Sequence, residues 1–313
     1  MKLSTLVSYR NLLQNYKPTN VDNVVRDIAG HSLHVVQEHQ LQFAGLTEQL
    51  TLAYADINQS FMDYAAVIDE IQHNISAAIE TLEPNYFQQS YRLYQEEYTN
   101  DQVDYILDRK LYISDDASEY IQARIKTYGD WHYSGMILRP GREDWIQELV
   151  ACDPLYLIDQ NPGLLSPVLQ KFNTIYQNRL RSYTIRHEDE NPLQMVPDGQ
   201  IGFCLAYNFF HYKPFEILKG YLNDIFAKLR PGGTLGFTFN DCDRAGAVEL
   251  VERYFMCYTP GTLVLTLCES LGYELVQRYQ VDSACTWVEV RKPGTLSSLR
   301  GGQSLAEIIV KSK

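Results

Sequence analysis

Residues 225–239 read Ile225-Phe226-Ala227-Lys228-Leu229-Arg230-Pro231-Gly232-Gly233-Thr234-Leu235-Gly236-Phe237-Thr238-Phe239. The first five close a helix that begins at Phe215. Arg230-Pro231-Gly232-Gly233 is a tight turn: proline fixes one φ, and glycine supplies backbone angles that other residues avoid. Thr234–Phe239 then reads as a strand, with bulky apolar residues at every second position. A helix delivered straight into a strand by such a turn is a unit of parallel α/β winding.

The same alternation extends to both sides. His132–Leu138 reads as a first strand, Glu143–Ala151 as a helix, and Pro154–Asp159 as a second strand. Val168–Asn178 follows as a helix, Ser182–Arg186 as a third strand and Ile201–Tyr207 as a fourth. Ahead of them, Ser114-Asp115-Asp116-Ala117-Ser118-Glu119 reads as a capped start to the helix Tyr120–Thr127.

This order resembles the class I S-adenosylmethionine-dependent methyltransferases, over residues Asp130–Gly294. Three passages carry the resemblance: Leu157-Ile158-Asp159, the Pro231-Gly232-Gly233 turn, and the pair Gly272–Val276 and Thr286–Arg291. The last pair is similar to the family's closing antiparallel hairpin. The resemblance implies a Rossmann-like α/β fold with a mostly parallel sheet, and S-adenosylmethionine as cofactor. It also implies that Asp159 holds the ribose hydroxyls, because a carboxylate can accept two hydrogen bonds at once. Pro140 and Gly141 would meet the cofactor's amino-acid end, Asp189 the adenine, and Asn208 the segment facing the methyl group. His211 is the candidate general base, since an ordinary imidazole titrates near neutrality. The alternative for His211 is a ring packed behind the following helix, and for residues 188–190 an exposed charged loop.

One passage departs from the family. Its glycine-rich loop, E-x-G-x-G-x-G, exposes bare backbone to the cofactor. The corresponding residues here are Ile137-Leu138-Arg139-Pro140-Gly141-Arg142-Glu143. In this register the acidic position is Ile137, the first glycine is Arg139 and the third is Glu143. Arg139 brings bulk and a fixed positive charge toward a cationic sulfonium.

The first hundred residues follow another rule. From Val36, large or apolar residues recur at His39, Phe43, Leu46, Leu50, Tyr54, Ile57, Phe61, Tyr64, Ile68, Ile71, Ile75, Ala78 and Leu82. Steps alternate three and four, with one doubled four, as on the seam of a coiled coil. Pro84 is expected to stop the helix. Such a length needs a partner: a neighbouring helix of the same chain, a second copy, or another protein, engaging residues 36–82. The organisation expected is a helical module over 1–100, a methyltransferase-like domain over 101–294, and a tail with a short helix over 295–313.

Bulk properties narrow the function. The net charge is −12, against a general nucleic-acid binder, and 45% of the residues are hydrophobic. No apolar run is long enough for a membrane span, and the first residues lack the apolar stretch of a secretory signal. A cytoplasmic setting, or a place in an intracellularly assembled particle, is therefore the expectation. The six cysteines show no C-x-x-C spacing, and no metal site is expected. Asn240-Asp241-Cys242-Asp243 is read as a turn rather than a cation loop. Two functions stay open. One is a methyltransferase fold whose methyl transfer is weakened or lost, serving assembly through its long helix. The other is an active methyltransferase acting on a small molecule or a protein.

Overall fold

The computed structural model describes residues 2–16, 44–97, 115–130, 132–140, 143–160, 162–170, 172, 178–186 and 191–295. The chain divides into two compact units, Met1–Pro84 and Asn85–Lys313. The first holds helix α1 (Leu3–Tyr16) and most of α2 (Ala44–Glu97). Along α2 the seam residues Ile57, Phe61, Tyr64 and Ile71 are exposed, whereas Ile68 is buried. Val36, His39 and Phe43 lie outside the described residues, as does the tail helix expected after residue 295.

Contrary to expectation, α2 does not stop at Pro84 but runs through it to Glu97. A proline inside a helix forfeits one backbone hydrogen bond and crowds the preceding turn, at about 3 kcal/mol. The turns beyond it recover that loss by packing within the second unit. Phe87 meets Phe215 and Tyr258 at ring-centroid distances of 6.2 and 5.1 Å. The Ser90 hydroxyl accepts the Tyr258 backbone N–H at 2.7 Å, and Leu93 and Tyr94 are buried.

The second unit then winds as α3 (Asp115–Lys126), β1 (Ser134–Leu138), α4 (Glu143–Glu148), β2 (Leu155–Asp159), α5 (Pro162–Gln170), β3 (Leu180–Thr184) and β4 (Ile201–Ala206). A short 3-10 turn (Phe210–Tyr212) leads to α6 (Phe215–Lys228), β5 (Leu229–Asn240), α7 (Ala245–Glu252), α8 (Gly261–Ser270), β6 (Glu274–Gln280) and β7 (Cys285–Arg291). The sheet order is β3-β2-β1-β4-β5-β7-β6. The first five strands are parallel, and β7 inserts antiparallel between β5 and β6. This is a Rossmann-like fold of the methyltransferase type, ending in the expected antiparallel hairpin. Winding reverses between β1 and β4, so the ligand crevice of such a sheet lies over the carboxyl ends of those two strands.

Strands β1, β2 and β4 are buried on both faces, as a parallel sheet between helix layers requires. Met136, Leu138, Ile158, Cys204 and Ala206 face one hydrophobic cluster, and Ile137, Leu157, Phe203 and Leu205 face the other. The period of two of the strand backbone thus lets one apolar run feed two cores at once.

The Pro-Gly-Gly turn is absorbed into β5. Leu229 pairs with Ile201 and Thr234 with Phe203, so the four residues 230–233 stand opposite Gly202 alone. Gly232 adopts φ +77, and a Cβ on Gly233 would meet the Ile201 carbonyl oxygen at 2.7 Å. The Gly232 N–H donates to Lys292 O, and the Lys292 N–H to Gly233 O, each at 2.9 Å. Other boundaries shifted. Of the helix expected over 168–178, residues 171 and 173–177 lie outside the described residues. The described helix spans Pro162–Gln170, so it begins earlier than expected, with proline at its first position, where no N–H is needed. Strand β3 starts two residues earlier than expected, where Leu180 pairs with Leu155.

Helix α3 is clamped to the sheet through one carboxylate. Glu289 on β7 is fully buried and accepts Arg124 Nε at 2.8 Å, Tyr128 OH at 2.7 Å and Trp287 Nε1 at 2.9 Å. All six cysteines are free and buried. No described helix is long and apolar enough to cross a membrane.

Candidate functional site

Three strand ends and one helix end build the crevice. At the end of β1, Arg139 has φ +59, the left-handed region that L side chains avoid. Its position is the one the family resemblance assigns to glycine, so the backbone holds a glycine conformation under an arginine side chain. Such a residue costs on the order of 1–2 kcal/mol. The side chain is anchored: Nη1 donates to the Asn208 carbonyl oxygen at 3.0 Å, and the guanidinium lies 5.6 Å from the Tyr212 ring centroid. Arg139 thereby reaches from β1 over the mouth of β4. Pro140 next to it is buried, while Gly141 lies outside the described residues.

At the end of β2, Asp159 is buried, and its carbonyl oxygen accepts the Ile185 N–H at 2.9 Å. Gln160 follows it. Asp189 lies outside the described residues.

After β4 the chain turns sharply. Asn208 takes φ +53, which asparagine tolerates better than most residues, and its N–H donates to Thr238 Oγ1 at 2.8 Å. His211 sits in the 3-10 turn at 1% exposure. Burial, and next the charge of Arg139, push its imidazole down to about 3. Neither ring nitrogen has a hydrogen-bond partner among the described residues. A neutral ring with so low a pKa is a weak proton acceptor, far from the near-neutral value that general-base catalysis favours.

Lys213 is the residue that the sequence reading missed. Pro214 restricts it to extended backbone, φ −108 and ψ 126. Its side chain is buried at 3% exposure, and Nζ donates to Gln160 Oε1 at 2.9 Å. The ammonium lies 4.9 Å from the Phe209 ring centroid and 5.4 Å from that of Tyr94 on the last turns of α2. Tyr94 is itself hydrogen-bonded to the Gln160 side chain. Burial, and next the charge of Arg139, lower the Lys213 pKa to about 7. Among the described residues no carboxylate comes within ion-pair distance of its Nζ. Since β1 lies between β2 and β4, the Lys213–Gln160 bond crosses above the end of β1. A lysine before a proline carries no mark in the sequence of being buried.

The Asn240–Asp243 turn has structural duties. Asp241 is fully buried; its Oδ2 accepts Arg278 Nη2 and Thr286 Oγ1, each at 2.7 Å. The Asp243 carboxylate accepts the Thr262 N–H at 2.6 Å in the first turn of α8. Among the described residues no cluster of three His, Cys, Asp or Glu is placed to hold a metal.

No protein-family model matches the sequence, and no curated protein matches it. Solved structures of methyltransferases do match. The N-methyltransferase NodS from Bradyrhizobium japonicum WM9, in complex with S-adenosyl-L-homocysteine, is 16% identical with a TM-score of 0.45. The match covers 66% of this chain and 99% of that one. A putative sarcosine dimethylglycine methyltransferase from Galdieria sulphuraria is 10% identical with a TM-score of 0.47, over 58% of this chain and 88% of that one. The [4+2]-cyclase SpnF is 12% identical with a TM-score of 0.46, over 59% and 85%. The fold assignment itself rests on the sheet order and the closing hairpin.

Proposed function

We propose that this chain retains the methyltransferase fold with S-adenosylmethionine-dependent methyl transfer weakened or lost, and serves a structural or assembly role through its N-terminal helix. One observation carries the first part. Two cationic side chains, Arg139 and Lys213, reach across the crevice at the ends of β1, β2 and β4. A sulfonium cofactor seated there would face them. At ~5 Å two like charges oppose each other by about 3 kcal/mol at an effective dielectric of 20. Loss of methyl transfer also fits a candidate base, His211, held far below neutrality by burial.

The retained Asp159 favours the second reading, an active methyltransferase on a small molecule or protein, because it stands where the ribose anchor is expected. Calorimetric titration separates the two. The proposed function expects no heat of binding from S-adenosylmethionine or S-adenosylhomocysteine at millimolar concentration. Micromolar binding abolished by Asp159→Ala would establish the second reading instead.

Support for the assembly role comes from α2. Its exposed Ile57, Phe61, Tyr64 and Ile71 form an apolar seam on a helix whose charged residues from 44 to 91 are all acidic. Apolar seams of this spacing bury themselves against another helix. Sedimentation equilibrium of the full chain is expected to show self-association that Phe61→Glu weakens at least tenfold. A folded wild-type chain that stays monomeric at high micromolar concentration would rule out the second copy as partner.

A further inference from the structure

Lys213 is an expensive residue to keep. Its ammonium is almost wholly out of water, beside two aromatic rings. Of its three donors one is used, on the Gln160 amide oxygen. Burying a cation without a counter-ion is unfavourable unless something else meets it. His211, two residues earlier, is equally buried, with both ring nitrogens unpartnered among the described residues. From the end of β1, Arg139 reaches the Asn208 carbonyl oxygen with Nη1, and a guanidinium has five donors, so it can meet an anion while keeping its other partners.

Beside these cations stands Asp159, the acidic residue that closes β2. In doubly wound sheets a carboxylate at that place accepts ribose hydroxyls, and the phosphates lie at the end of β1 by the switch point. Here the ends of β1 and β4 supply the donors. We infer that the crevice takes a ribose-bearing anion, a nucleoside 5′-phosphate, with its ribose on Asp159 and its phosphate between Arg139 and Lys213. A carboxylate has about four lone-pair sites, so it can take a ribose hydroxyl while keeping other partners. The inference rests on the reading that the crevice no longer suits a sulfonium. It goes further, in naming what the same charges would attract.

The test is calorimetry on the full chain with ADP, GDP and UDP, alongside adenosine, inorganic pyrophosphate and S-adenosylhomocysteine. At least one nucleotide is expected to bind at least tenfold more tightly than adenosine or pyrophosphate. Arg139→Gln should weaken the nucleotide and pyrophosphate at least tenfold and leave adenosine unchanged. Asp159→Asn should weaken the nucleotide and adenosine and leave pyrophosphate unchanged. Circular dichroism verifies that both variants fold, and the two opposite patterns cannot both arise from a general loss of structure. Pyrophosphate binding as well as any nucleotide would mean a plain anion site and overturn the inference. Absence of nucleotide binding up to millimolar concentration would overturn it too, while leaving the loss of methyl transfer standing if S-adenosylhomocysteine also fails to bind. Micromolar S-adenosylhomocysteine without nucleotide binding would overturn both.

Discussion

Glu289→Ala is expected to lower the unfolding free energy by about 3–5 kcal/mol, the range for breaking a buried ion pair by removing one partner. The substitution leaves Arg124, Tyr128 OH and Trp287 Nε1 without their common acceptor at the α3–sheet junction. It also hollows a region where Trp287 is fully buried. Urea unfolding of wild type and variant checks it, and a change below 1 kcal/mol would show that the clamp carries little of the stability. The pH dependence has a definite sign. Burial alone would raise the Glu289 pKa, but the hydrogen bonds from Arg124, Tyr128 and Trp287, together with the Arg124 charge, outweigh it and lower the pKa. A carboxyl lowered on folding adds stability above the ordinary glutamate value of about 4.3, and that contribution fades as pH falls through the folded value. The difference between wild type and Glu289→Ala should therefore shrink in acid.

Lys213→Met should do the opposite and stabilise the fold. A fall from 10.5 to about 7 corresponds to roughly 5 kcal/mol, at 1.36 kcal/mol per pKa unit, as the upper bound on what the buried charge costs. Relaxation and the lost Gln160 contact reduce it, so a gain of about 2–4 kcal/mol at pH 6 is expected. For a base lowered on folding, the unfolded chain binds the proton more readily between the two values. The penalty is thus complete below pH 7 and relieved gradually up to about 10.5. Comparing the midpoints of wild type and variant at pH 6 and pH 9 isolates this group from the tyrosines and cysteines. A gain over wild type no larger at pH 6 than at pH 9 would show that Lys213 is not held as a buried cation. A gain of the expected size would match the stability cost that binding residues carry.

The sheet was legible in the sequence because its signals are local. Strands β1, β2 and β4 announce themselves as short apolar runs between turn residues, and Pro231-Gly232-Gly233 by chemistry that few backbones but this turn require. The place of Asp159 at the end of β2 is legible because an acidic residue closes an apolar run. Those of Lys213, Gln160 and Tyr94 are not, since their contacts join positions 53 and more than 100 residues apart, and none of the three is unusual in its own neighbourhood. Pro84 illustrates the same limit: the local rule predicts a helix end, but packing by Phe87, Ser90 and Tyr94 lets the helix survive its proline. The sequence at His211 carries only its ordinary pKa, and it is tertiary burial that removes it from that range.

The six buried thiols have a use for the experimenter. Burial raises Cys152 to about 11 and Cys268 to about 12, and raises Cys204, Cys242 and Cys285 as well. Alkylating reagents attack the thiolate, so these five side chains are silent while folded. Each answers when its surroundings open: Cys152 ahead of β2, Cys204 inside β4, Cys242 after β5, Cys268 on α8 and Cys285 on β7. Their separate labelling rates would form a clock with five hands, timing how each part of the second unit breathes.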